Sequence, residues 1–123
     1  MMKGFKDLDV YHLAYRLSMH IFELSKTFPE EERYALTDQI RRSSRSVCSN
    51  IAEGYRKRIY PSHFKSKMSD ADAEASETLV WLDFAHNCAY ISKETHQHLY
   101  SKYEQVGRML GGMIKHPEKF KPS

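Results

Sequence analysis

Phe64, Met68, Ala71, Ala75, Thr78, Leu82, Ala85 and Ala89 follow one another at spacings that alternate between four and three. A half-buried strand would need apolar residues at every second position, so this order admits a long helix with a narrow apolar seam and excludes a strand. A seam of this kind has to be covered by other helices, and its repeat close to 3.5 predicts crossing angles of about 20°. Pro61 suits the first turn, where its missing N–H costs nothing, which predicts a third helix over about 62–90.

Three further segments carry the same rule. Val10, Ala14, Leu17, Ile21, Leu24 and Phe28 define a first helix over about 8–28, with Asp7 as N-cap and Pro29 as its stop. Glu30, Glu31 and Glu32 suit the positive end of a second helix over about 32–56, which runs through Leu36, Ile40, Val47 and Ile51. Gly54, late in that helix, reads as a point of close packing with the helix continuing a residue or two. Ser92 caps a fourth helix over about 93–115 that presents Leu99, Tyr103, Val106, Leu110 and Met113, with His116-Pro117 ending it and Glu118 to Ser123 expected to fray.

Five glycines and four prolines in 123 residues leave a many-stranded barrel or sandwich short of turn chemistry. Four helices joined by short loops must run antiparallel to their neighbours, so the expected fold is all-α: an antiparallel up-down-up-down four-helix bundle, one domain over residues 1–123. Cys48 and Cys88 have neither metal spacing nor a disulfide framework, and both read as small buried hydrophobes in a reducing cytoplasm. No apolar run approaches the ~18 residues of a membrane span, and the N-terminal residues lack a signal-peptide core, so a soluble, cytoplasmic protein without a membrane role is expected.

The net charge of +3 hides a strong segregation. Arg41, Arg42, Arg45, Arg56, Lys57, Arg58, Lys65 and Lys67 face Glu53 alone, whereas Met68 to His86 holds five acids and no lysine or arginine. At 100° per residue, Arg42, Arg45 and Arg56 fall within about 60° of one another, with Ser46, Ser49, Ala52 and Glu53, opposite the apolar stripe. Two readings of that face stand side by side: a solvated charged surface, or a subunit interface whose small residues admit a neighbouring helix and whose Glu53 pairs with an arginine. Second lines of large residues favour association: Glu77, Trp81, Phe84, Cys88 and Ile91 on the third helix, Tyr11, Tyr15 and Phe22 on the first. Lines of this kind on several helices of so small a bundle predict burial against other copies, with Ser49, Glu53, Glu77, Trp81, Phe84, Tyr11 and Tyr15 as the interface.

The basic residues Arg41, Arg42, Arg45, Arg56, Lys57, Arg58 and Lys65 are the candidate nucleic-acid contacts. Arg56-Lys57-Arg58, with Tyr55, Tyr60 and His63 interleaved, suits phosphate contact combined with stacking on an unpaired base; a solvated basic helix end is the plain alternative. Chemistry is not indicated. The Glu-x-x-His pairs of di-iron bundles are missing, since Glu74 and Glu77 form Glu-x-x-Glu and His86, His96 and His98 lack the spacing, so no metal is expected. Ser43, Ser44, Ser46 and Ser49 have neither a nucleophile elbow nor a phosphate loop, and neither cysteine has a matched base in the nearby sequence. No catalytic residue, no cofactor and no enzymatic activity are expected.

The run Gln39-Ile40-Arg41-Arg42-Ser43-Ser44-Arg45-Ser46-Val47-Cys48-Ser49-Asn50-Ile51-Ala52-Glu53-Gly54-Tyr55 resembles the central motif of the bacterial four-helix-bundle proteins encoded in 23S rRNA intervening sequences. The likeness extends over most of the chain. Asp7-Leu8-Asp9-Val10-Tyr11 resembles that family's opening, Phe28-Pro29 through Tyr34-Ala35-Leu36 its first turn, and Phe64, Ala71 and Glu77 its third helix. Ala73-Glu74 departs from a Gly-Ser pair of the common form, which marks a variant branch. The resemblance implies a bundle that assembles as a ring, a homopentamer. It extends to the accessory variability determinant of diversity-generating retroelements, a basic barrel that binds nucleic acid and a reverse transcriptase. The expected partners are therefore other copies of the chain and RNA or DNA, with a protein-interaction scaffold free of any nucleic-acid role as the rival.

Overall fold

The structure, a computed structural model, describes residues 4–122, so residues 1–3 and Ser123 of the two ends lie outside the description. Four helices carry the fold: α1 (Asp9–Ser25), α2 (Leu36–Arg56), α3 (Pro61–Asn87) and α4 (Lys93–Lys115). No strand occurs among the described residues. The closely packed pairs are α1 with α2, α2 with α3, α3 with α4 and α4 with α1, which is the closed order of an up-down-up-down four-helix bundle.

The heptad seam of α3 is the core. Phe64, Met68, Ala71, Ala75, Thr78, Leu82 and Ala85 are all buried, against Ile21 of α1, Ile40, Val47 and Ile51 of α2, and Leu99, Val106 and Leu110 of α4. Small hydroxyls join the helices inside this apolar packing. The Ser18 hydroxyl donates to Ser44 across α1 and α2 (3.3 Å), and the Ser43 and Thr78 oxygens lie 2.9 Å apart across α2 and α3. Each of these two hydroxyls also has a carbonyl of its own helix as acceptor, Ile40 for Ser43 (3.4 Å) and Glu74 for Thr78 (2.9 Å). The serine cluster therefore has a packing role, in which short side chains let two helices approach while the hydroxyls of Ser18, Ser43, Ser44 and Thr78 each keep a partner.

Helix ends differ from the sequence expectation for local reasons. The first helix begins at Asp9 with Leu8 as N-cap, not Asp7, and stops at Ser25; Phe28 is buried beyond its end. The acidic triplet is not a helix start: Glu30–Glu32 is a 3-10 turn, Ala35 breaks the chain at φ −122°, ψ −107°, and α2 begins at Leu36 instead of residue 32. The carboxylate preference holds from outside the helix, since Glu32 accepts the Leu36 N–H (3.3 Å) at the positive end of α2. At the other end, the tail is not frayed through its length. Pro117–Phe120 forms a 3-10 turn that stacks Phe120 on Phe64 with ring centroids 5.6 Å apart.

The seam loses its eighth member, because α3 ends at Asn87, not residue 90, and Ala89 is exposed at φ 63°. Tyr90 N–H bonds the Ala85 carbonyl (2.8 Å) and Ala89 N–H that of His86 (2.9 Å), the two bonds of a Schellman cap with alanine in the left-handed position that glycine normally fills. That cap turns Tyr90 onto Phe28 (5.4 Å) and its hydroxyl onto Glu32 (2.8 Å), a bond to a carboxylate that holds the Tyr90 proton and pushes its pKa up to about 12. Cys88 is the exposed C-cap, not a buried helical residue, and Ile91 lies buried past the helix, so neither extends the outer line of α3. Ala89→Gly should stabilise the fold by about 1 kcal/mol, since a Cβ in the left-handed region carries a penalty of that order. Urea unfolding would read it as a higher midpoint with unchanged slope.

Candidate nucleic-acid interface

Amphipathicity fixes which way α2 faces. Ile40, Val47 and Ile51 are sealed in the core, so the arginines one third to one half turn away point outward. The seven basic candidates separate into two kinds. Arg42, Arg45, Arg56, Lys57 and Lys65 are exposed. Arg41 and Arg58 are half-buried and engaged within the chain: Arg41 donates from Nε to the Ser25 hydroxyl (2.7 Å), and Arg58 donates to the Tyr55 carbonyl (3.0 Å) with its guanidinium 4.1 Å from the Tyr55 ring centre. Phe22 of α1 explains the first case. Its ring is flanked by Arg41 at 4.8 Å, Arg45 at 5.6 Å and Lys26 at 4.8 Å, a cation–π cluster that places Phe22 in the α1–α2 seam and not on a free outer line.

The exposed cations are not matched by carboxylates. Among the described residues no arginine has an acidic oxygen within 4.0 Å: of the acids on this face, Glu53 pairs instead with Lys67 of α3 at 3.7 Å, and Asp38 lies in the arginine-lined cleft without an ion pair. Arg42 donates to the neutral Gln39 side chain (3.1 Å). An open cleft of about 660 Å³ lies over the first half of α2, lined by Arg33, Tyr34, Thr37, Asp38, Arg42 and Arg45 among others. A second, of about 490 Å³, sits at the α2–α3 corner beside Arg56, Lys57 and Arg58 and includes Glu53 and Phe5. The two lie along one helix face, since Arg45 and Arg56 are eleven residues apart, about 16 Å along the axis and about 20° around it.

Sequence reasoning missed Arg33 and Tyr34. The acidic triplet beside them reads as a helix start, which would have carried both residues around the helix. The 3-10 turn instead leaves them at a corner, with Tyr34 84% exposed and the Arg33 guanidinium 5.2 Å from its ring centre. The helix-breaking geometry at Ala35 carries no strong residue signal.

The proposed interface residues also divide. Tyr15 and Phe84 are about half exposed, as are Met19 and Val80, which no pattern singled out. Tyr11 and Trp81 are half-buried; Tyr11 packs on Phe5 (4.9 Å) and Tyr15 (6.0 Å), and Trp81 on Phe84 (5.9 Å) while its indole N–H donates to Glu77 (3.3 Å). Ser49 is exposed and turned back on the Ser46 carbonyl (3.2 Å). Cys48 is buried and its thiol is pushed up to about 11, chiefly by burial, which leaves it protonated and unreactive near neutral pH. Among the described residues no cluster of three or more metal-ligating side chains forms, and none of their helices is long and apolar enough to cross a membrane.

Comparison with known proteins agrees with this architecture. Among curated proteins none matches the sequence. A solved structure of a protein with unknown function from the S23 ribosomal protein family of Bacteroides thetaiotaomicron superposes with a TM-score of 0.78 at 26% identity, covering 86% of this chain and 98% of that one. The family model described as 23S rRNA-intervening sequence protein matches residues 6–112, the whole bundle from before α1 to the last turns of α4, and the chain belongs to that family.

Proposed function

We propose that the chain works without catalysis, as a ring of five copies whose repeated basic α2 face binds nucleic acid. The observation that supports this most is the set of arginines on α2 without carboxylate partners, beside a third helix whose five acids are kept apart from them. A fold that needed those charges only for its own stability would pair them, whereas phosphate supplies the missing partner on binding. Symmetry multiplies the effect, because each further copy repeats the same patch in a fixed place and the summed field attracts a polyanion more strongly than one patch does.

The exposed aromatic and aliphatic residues Tyr15, Met19, Val80 and Phe84 support association. Glu53 is already paired within its own chain, so the contact between copies is assigned first to the tyrosines of α1 and to Trp81 and Phe84 of α3. That leaves the arginines open to a ligand. The same apolar residues favour the rival reading, a scaffold that docks a protein partner and uses its charges for solubility alone.

Light scattering on the purified protein, combined with a titration of structured RNA at several salt concentrations, tests both halves. The expected results are a particle of about five times the 14.5 kDa chain mass and an affinity that falls steeply with salt. A monomeric mass removes the ring. Absence of RNA binding at low salt removes the nucleic-acid role and leaves the scaffold.

A further inference from the structure

Tyr34 is the most exposed large hydrophobic residue among the described residues, at 84%, and the bundle makes little use of it. Its hydroxyl has no hydrogen-bond partner among the described residues, and its packing contact is the Arg33 guanidinium laid over the ring at 5.2 Å. An aromatic ring held this way keeps an open face toward solvent, and it does so at the mouth of the 660 Å³ cleft that also contains Arg42 and Arg45. Asp38 is the acid of that cleft, against the cations Arg33, Arg41, Arg42 and Arg45. In the turn after α2 a second exposed aromatic, Tyr60 (61%), stands beside His63 at 5.8 Å, its backbone N–H bonded to the Lys57 carbonyl (2.9 Å).

A duplex offers a protein its phosphates and groove edges but keeps its base faces stacked inside, so a ring presented flat to solvent gains nothing from it. Unpaired bases have free faces, and every base can stack on an aromatic ring whatever its identity, while cations beside the ring hold the neighbouring phosphates. Resting on the proposed nucleic-acid role of the α2 face, we propose that the cleft formed by Arg33, Tyr34, Arg42 and Arg45 is a binding site for single-stranded nucleic acid, with a base stacked on Tyr34 and the flanking phosphates on Arg42 and Arg45. Arg33 then covers one face of Tyr34 and the base the other. Selection is for strandedness, not sequence, because stacking on Tyr34 and phosphate contact at Arg42 and Arg45 are open to every unpaired base.

Fluorescence anisotropy with a labelled twelve-nucleotide oligouridine and with a twelve-base-pair RNA duplex tests the assignment, using the full chain and its Tyr34→Ala and Tyr34→Phe variants. The single strand should bind more tightly than the duplex. Tyr34→Ala should weaken the single strand by about 5- to 100-fold and leave the duplex unchanged, whereas Tyr34→Phe keeps the wild-type affinity. If Tyr34→Ala binds the single strand like the wild type, or if single strand and duplex bind alike, the stacking site is overturned and a plain basic face remains. If neither probe binds at low salt, the stacking site and the nucleic-acid role both fall.

Discussion

Gly54→Ala should destabilise the bundle by up to about 2 kcal/mol, although alanine is the better helix former by about 1 kcal/mol. Gly54 is buried in the last turns of α2 at an ordinary helical φ, so conformational freedom does not explain it. Space does. A Cβ built there would lie 2.8 Å from Met68 Cε and 2.9 Å from Lys67 Cβ of α3. Met68 Cε is the end of a flexible side chain but is fully buried among close-packed neighbours, and Lys67 Cβ moves only if the α3 backbone moves. Overpacking of this kind costs about 1–3 kcal/mol, which outweighs the propensity gain. Gly54→Val, with two more carbons on a stiff rotamer, should cost roughly 3 kcal/mol or more, over half of the ~5 kcal/mol at the low end for a small domain. Urea unfolding decides the matter by sign: a raised midpoint for Gly54→Ala would show that Met68 and α3 give way at this point for less than the helix-propensity gain. A double-mutant cycle with Met68→Leu, whose shorter side chain withdraws the Cε, should show a favourable coupling.

That glycine was legible as a packing point because it falls late in an amphipathic helix whose pattern continues past it. The four helices, their antiparallel order and nearly all of the core were legible for the same reason: each seam repeats at one period over many residues, so single errors average out. Chain reversals have no such redundancy. Glu30–Glu32 has the charge of a helix start and forms a 3-10 turn because Glu32 serves better as an outside cap that also holds Tyr90. Ala89 fits the heptad by spacing and is nonetheless the left-handed residue of a cap, a role alanine does not advertise.

The candidate site divides along a similar line. That α2 carries a basic outward face follows from one wheel projection. That Arg41 and Arg58 turn back into the protein does not, since the carriers of that choice, Ser25 and Phe22 for Arg41 and the Tyr55 ring for Arg58, are set by how α1 meets α2 and by where α2 ends. Tyr34 was invisible to periodicity because it belongs to no helix.

The double substitution Arg42→Glu/Arg45→Glu should have the largest effect on nucleic-acid affinity, a loss of about 100-fold at low salt with the assembled mass unchanged. Arg42 contacts only Gln39 on its own helix, and Arg45 adds the most distant of the three cations around Phe22, so the folded state loses about 1 kcal/mol at most. The ligand loses two phosphate contacts and meets two like charges in their place. The neutral pair Arg42→Ala/Arg45→Ala isolates the first of these effects: it should lower the slope of log affinity against log salt by about 1.4 for a single strand, two contacts at roughly 0.7 each. Matching the substitution to Arg41→Ala separates surface from seam. Arg41 bonds Ser25 and covers Phe22, so its loss should lower the unfolding midpoint more and the salt slope less than the loss of Arg42 and Arg45. The opposite pattern, with assembly lost on charge reversal and no nucleic-acid binding beforehand, would make this face a contact between copies and move the function to the scaffold reading.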